Sequence, residues 1–212
     1  MDSIDICNLA LNMLGIASIV SFDETNNNAK LCKAFFPVCR DRVLRDHPWS
    51  FAAKRYELSH LPNDTTLDPG LPYVCGTPAD CIAVRDILHG IRYKTWGRRI
   101  MVEALPATMI YTARIEDTSL FDPTFCEALQ YCLAGEIAMG NTRHANLLQM
   151  FRQEYERRLS IARSIDSSEN HFAFQNTHRK SSWISARGAG VDDVTRQSGP
   201  VQWVKGTEGV QK

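Results

Sequence analysis

Cys75 and Cys81 stand six residues apart, and so do Cys126 and Cys132. Paired thiols are the first place to look for a metal centre. Structural zinc sites, however, space their cysteines about two to four residues apart and need four ligands. The histidines of the chain, His47, His60, His89, His144, His171 and His178, do not complete such a set. Nucleophilic chemistry needs a thiol beside a base. Cys75 with His60 or His89 is the pairing available, but no local signature marks it, and such sites are recognised by geometry. Glu116 and Asp117 suit a loop ahead of a helix start and form no carboxylate pair for glycoside hydrolysis. No glycine-rich loop joins a strand to a helix to cradle phosphate; Gly188-Ala189-Gly190 lies in a polar tail. No catalytic residue, cofactor or metal is therefore expected.

A second constellation is basic and aromatic: Arg40, Arg42, Arg45, Lys54 and Arg55 flank Trp49 and Phe51. One reading is a surface that touches DNA or an acidic partner. The other is a solvated helix end, where cations complement the negative pole of the helix dipole. Asp41 and Asp46 dilute the cluster. Between the cations, His47-Pro48-Trp49 reads as a packed corner. Proline fixes the turn and tryptophan covers the junction between two layers.

The elements that must position these residues follow from composition and periodicity. A chain of 212 residues with an ordinary apolar share can bury one sizeable core. Lys and Arg number 24, as do Asp and Glu. Proteins that grip nucleic acid or anionic membrane do so through a strong basic excess, so the balance argues against such a grip, though not against DNA passing without being held. No apolar run approaches the ~20 residues of a membrane span. The start of the chain lacks the basic and small-residue marks of a leader, so synthesis in a cytoplasm is expected. Seven cysteines, mostly at apolar-periodic positions, read as reduced buried thiols.

Ile4, Cys7, Leu11 and Leu14 share a helical face over residues 3–14, with Ser3 to cap the start and Gly15 the end. A second helix over 25–46 buries Ala29, Cys32, Phe36, Cys39 and Val43; Ser21 or Thr25 could cap it. Pro37 should kink it or remove one hydrogen bond, and Pro48 ends it. Residues 50–120 change character. Prolines punctuate a loop-rich stretch, then strand-like runs at 81–88, 91–95, 99–103 and 109–113 are parted by turns at Gly90 and Gly97. A small antiparallel sheet inserted between helices is expected. Asp122-Pro123 starts a helix over 123–139, and a final helix over 142–164 buries Leu148, Phe151, Tyr155, Leu159 and Ala162.

The fold class is thus α+β: a mainly helical bundle, residues 1–165, with an inserted β-rich portion and an extended C-terminal arm, residues 166–212. The arm is too polar to bury a core of its own. It nevertheless carries Phe172, Phe174, Trp183 and Trp203, which a plain linker would not need. These are candidate anchors on a neighbouring subunit or a partner.

Several blocks in order resemble one family. Cys7-Asn8-Leu9-Ala10-Leu11 with Leu14-Gly15 is followed by Ser21-Phe22-Asp23-Glu24, then Arg40-Asp41, Leu44, His47-Pro48-Trp49 and Phe51-Ala52. Pro78-Ala79-Asp80-Cys81, Phe121-Asp122-Pro123, Phe125, Ala128-Leu129, Leu133-Ala134, Glu136, Ser182-Trp183 and Arg187 complete the pattern. Together, over residues 5–187, they resemble the tail tubular protein A family, the head-to-tail adaptors of short-tailed bacteriophages. The stretch from 188 to Lys212 lies beyond the resemblance. What the resemblance implies is a non-enzymatic virion protein assembled in the bacterial cytoplasm. It forms a ring, commonly of twelve copies, between the portal protein and a tail nozzle of the tail tubular protein B type. The ring extends the channel through which double-stranded DNA leaves, and a C-terminal arm reaches the portal. The alternatives are a small hydrolase with a Cys or carboxylate site in the β-rich portion, or an α+β interaction module.

Overall fold

Asp2, one residue ahead of the expected Ser3, caps the first helix, α1 (Ser3–Met13). Its carboxylate accepts the Ser3 amide at 2.6 Å, and Asp5 reaches back to the Asp2 amide at 2.9 Å, a reciprocal capping box. The helix ends where the sequence marks it. Gly15 takes a φ of +67°, and the amides of Gly15 and Ile16 close onto the carbonyls of Asn12 and Leu11, both at 3.0 Å. The next helix, α2 (Asn27–Asp46), is capped by neither Ser21 nor Thr25. Asn26 accepts the Ala29 amide at 2.7 Å instead. Glu24 has already folded the preceding segment into a turn by accepting the amides of Val20 and Ser21. The helix runs through Pro37 as one element. That residue is exposed, so the carbonyl it leaves unbonded meets water.

The computed structural model describes residues 1–61, 68–141 and 145–169. They lie in the first of two units, Met1–Phe174; the second unit, Gln175–Lys212, falls outside the described residues. Six strands follow α2: β1 (Ala53–Glu57), β2 (Tyr73–Gly76), β3 (Cys81–Ile87), β4 (Tyr93–Trp96), β5 (Arg99–Val102) and β6 (Thr108–Ala113). They form two three-stranded antiparallel sheets, ordered β1-β6-β3 and β2-β5-β4, where one sheet was expected. The division has a local cause. His89 and Gly90 both take a φ of +66°, so the chain leaves β3 through a tight turn and β4 pairs with β5 instead. Gly97, at φ +61°, then allows a two-residue loop between β4 and β5.

Two further helices complete the architecture: α3 (Pro123–Asn141) and α4 (Ala145–Glu169). Asp122 caps α3 as expected, accepting the Thr124 amide at 2.8 Å. α3 is apolar on most of its surface and packs against α1, α2 and α4, which makes it the central helix of the bundle. α4 buries Phe151, Tyr155, Leu159 and Ala162 at the predicted spacing; Leu148 is only half-buried. It also runs on to Glu169. Asp166, the residue at which the arm was expected to begin, is therefore part of the last helix.

Candidate functional site: the corner at the end of α2

A helix halted by proline leaves its last carbonyls without amides to bond. In this chain each is answered by a side chain from elsewhere. Trp49, fully buried, turns its indole Nε1 back to donate to the Val43 carbonyl at 2.8 Å. Arg85 of β3 donates from Nη2 to the carbonyls of Leu44 at 3.3 Å, Arg45 at 2.9 Å and His47 at 2.8 Å, while its Nε donates to Thr112 Oγ1 at 2.7 Å. Arg163 of α4 donates to the Asp46 carbonyl at 3.0 Å. Burial, with Arg45 close by, pulls the Arg85 guanidinium below its ordinary pKa, but the carbonyl oxygens around it suit the charged form.

Two bulges in β3 aim this side. Pairing with β6 skips between Cys81 and Ala83 and again between Val84 and Asp86, leaving Ile82 and Arg85 as the extra residues. Arg85 reaches the end of α2, and the Ile82 carbonyl accepts from Arg45 Nη1 at 3.0 Å. Sequence reasoning passed over Arg85, because strict alternation gives no sign of a bulge. The available signal was indirect: a proline-ended helix needs a donor from another element.

α4 closes the corner from the other side. Asp166 accepts from His47 Nε2 at 2.8 Å through one oxygen, and from the Ser50 amide at 3.1 Å and hydroxyl at 2.7 Å through the other. Both side chains of the His47–Asp166 pair are nearly enclosed. Burial pushes the imidazole below its ordinary pKa; Asp166 opposes this, and Arg163 and Arg85 add to it. Beneath lies an aromatic cluster. Trp49 meets Phe125 edge-on at 5.1 Å, Phe51 meets Phe125 at 5.1 Å, and Phe121 lies 4.8 Å from Phe125. His47-Pro48-Trp49 is the packed corner that the sequence predicts.

The basic edge has a different character from the one its composition implies. Arg40 is 8% exposed and rests on Asp41, whose other oxygen takes Arg114 at 2.9 Å. Arg42 pairs with Glu136 of α3 at 2.6 Å. Lys54 pairs with Asp80 at 3.0 Å, and Asp80 also accepts from the Tyr111 hydroxyl. Arg45 is spent on Ile82, as above. Of the five cations singled out in the sequence, Arg55 alone makes no side-chain bond to the described residues, and it stands exposed on the edge strand β1. Buried Arg40 has no free surface to offer DNA in the single chain. The four candidate anchors of the arm, Phe172, Phe174, Trp183 and Trp203, lie outside the described residues.

Cys75 sits opposite His60 in an isolated bridge, but it is fully buried, burial raises its thiol pKa, and His60 Nδ1 is turned to the Val74 carbonyl at 3.2 Å. All seven cysteines are free; six are buried and Cys81 is half-buried. Asp117 caps the short turn Thr118–Leu120 by accepting the Ser119 amide. Among the described residues, no three His, Cys, Asp or Glu side chains gather as a metal site would require, and no helix is long and apolar enough to cross a membrane. Against known proteins, no family model matches the chain and no curated protein matches it.

Proposed function

We propose that the chain is a non-enzymatic structural subunit of a phage virion, a head-to-tail adaptor that forms a ring between portal and tail nozzle. The reading rests on the blocks that resemble the tail tubular protein A family. The observation that carries it is where those blocks come together. Trp49 and Phe51 of one block pack on Phe121 and Phe125 of a block remote in the chain, and beside them Asp41 holds Arg114 and Asp80 holds Lys54, side chains that tie the helices and loops to the first sheet. Residues that specify one joint are residues a family with one fold would share.

A ring of identical subunits needs head-to-tail contacts between unlike faces. The helices offer apolar side chains for them: Leu9 and Met13 on α1, Val38 on α2, Met139 on α3, and Met150 and Ile161 on α4 are all more than a third exposed. Zero net charge suits a passage, since each phosphate neutralised by a ring of many copies would add to a hold on the DNA. Assembly would take place in the bacterial cytoplasm, with the arm docking on the portal. The experiment is to mix the full-length chain with its cognate portal and image the product by cryo-electron microscopy. A ring seated on the portal is expected. A chain that stays monomeric with portal present overturns the proposal.

A further inference from the structure

The first sheet ends in a strand that offers its backbone outward. The Leu58 amide donates to the Ala107 carbonyl at 2.9 Å, and the register of β1 on β6 runs back from there through Tyr56 with Met109 to Lys54 with Tyr111. In an antiparallel pair, backbone bonds fall on every second residue. Lys54, Tyr56 and Leu58 therefore bond to β6, and the amides and carbonyls of Arg55 and Glu57 point away from the sheet. Among the described residues nothing meets them. The Arg55 and Glu57 side chains likewise make no hydrogen bond or ion pair there. All five residues of β1 are exposed, so neither face of the strand is blocked.

An open edge is a template for another strand, and proteins commonly spoil it. The other edges of this chain are spoiled. β3 is bulged twice, and its Ile82 carbonyl is taken by Arg45. On β2, Leu61 donates to the Val74 carbonyl at 2.8 Å and His60 bridges Cys75. On β4 the Glu103 amide donates to the Arg92 carbonyl at 3.0 Å, so by the same counting Tyr93 and Thr95 face outward. A second copy bonded through both of those residues would set Lys94 against Lys94, and like charges directly opposite repel.

β1 is different, because it is its own complement. We propose that β1 pairs antiparallel with β1 of a second copy about a two-fold axis through Tyr56, joining the two first sheets into one of six strands. In that register Arg55 of each copy faces Glu57 of the other. The two exchange both backbone bonds and their side chains carry opposite charge, while Tyr56 faces Tyr56 across the axis. The neighbouring registers fail: a shift toward Ala53 sets Arg55 against Arg55, and a shift toward Ser59 sets Glu57 against Glu57. Charge and backbone direction thus select one partner, this chain itself, and one alignment. The pairing does not rest on the chain being a ring subunit, since it uses a sheet edge rather than the helix faces.

The test is sedimentation equilibrium of the full-length protein, without portal, over a wide range of concentration. A monomer–dimer equilibrium is expected. Arg55→Glu should weaken the dimer by about tenfold, and adding Glu57→Arg, which restores opposite charges across the axis, should recover most of that loss. Arg55→Pro removes an outward amide that β6 does not use, and should abolish the dimer. Tyr56→Cys should cross-link two copies through position 56 under mild oxidation, because facing residues of a pair without backbone bonds lie close enough for a disulfide. A protein that is monomeric at every concentration overturns the proposal and leaves the edge to a strand of another protein. A dimer that Arg55→Glu does not weaken, or that the charge exchange does not restore, overturns it in favour of another face. The charge variants decide the matter even if the proline variant fails to fold, since the side chains they replace bond nothing among the described residues.

Discussion

The guanidinium of Arg85 spreads its donors over three carbonyls that no backbone amide reaches, and a fourth bond to Thr112 fixes its plane. That fork is the property in which arginine differs from lysine. Replacing it with methionine keeps much of the apolar stem but leaves the carbonyls at the end of α2 without a donor. A buried acceptor that loses its donor costs ~1–3 kcal/mol, and since the site is half-buried, Arg85→Met should lose ~2–4 kcal/mol in all. Arg85→Lys can serve one or two of the acceptors and should recover about half of that. Urea unfolding of the three proteins measures both. Midpoints for the variants that coincide with wild type would mean that water serves these carbonyls as well as Arg85 does.

At the scale of the element, the end of α2 was legible in outline and illegible in detail. Pro48 marks where the helix must stop, and Trp49, with Phe51 two residues on, is large enough to cover the junction, so the corner could be read directly. The helix faces were also readable: Cys32, Phe36, Cys39 and Val43 are buried at the predicted spacing. Two things were not. β2 is only four residues long and lies among prolines, too short for alternation to show. The contacts of Arg85, Arg163 and Asp166 with α2 span 38 to 119 residues of sequence, and local pattern carries no record of such pairings. The same distance explains the basic edge. Its cations look free in sequence because Asp80 and Glu136 are remote from them in the chain.

The His47–Asp166 contact joins α2 to α4 and makes this junction pH-sensitive. The groups facing the imidazole are Asp166, Arg163 and Arg85, with Ser50 and the edge of Trp49 beside them. Burial, the largest influence, holds the folded-state pKa below the ordinary value of about 6.5. Above that value His47 is neutral in both states and the corner keeps its full stability. As the pH falls through it, the unfolded chain takes up the proton first, so stability declines until the folded-state pKa is passed. His47→Gln keeps a donor to Asp166 and has no proton to gain. Wild type should therefore lose stability more steeply than this variant between about pH 7 and pH 5. Urea midpoints at a series of pH values test this. Parallel curves would remove His47 as the source, and a wild type that gained stability on acidification would mean that Asp166 outweighs burial.

For the whole molecule, the last turns of α4 decide where the folded body ends. Asp166 clamps the corner of α2, so a cut placed at the sequence-derived boundary would take a structural residue away with the arm. Ending the chain after Glu169 spares it; ending after Ile165 does not. Bonds to a charged partner contribute ~1.5–3 kcal/mol when buried, and Ser50 and His47 would both lose theirs in the shorter form. The chain 1–169 should match the full-length protein in its urea midpoint, and the chain 1–165 should fall below it by ~1–3 kcal/mol. The two cuts separate stability from assembly. If Phe172, Phe174, Trp183 and Trp203 anchor the chain on its partner, then 1–169 should be folded and yet fail to co-sediment with portal. Portal binding by 1–169 equal to that of the full chain would place the docking surface on the folded body instead. Equal stability of 1–165 and 1–169 would show that α2, Trp49 and Arg85 hold the corner without help from α4.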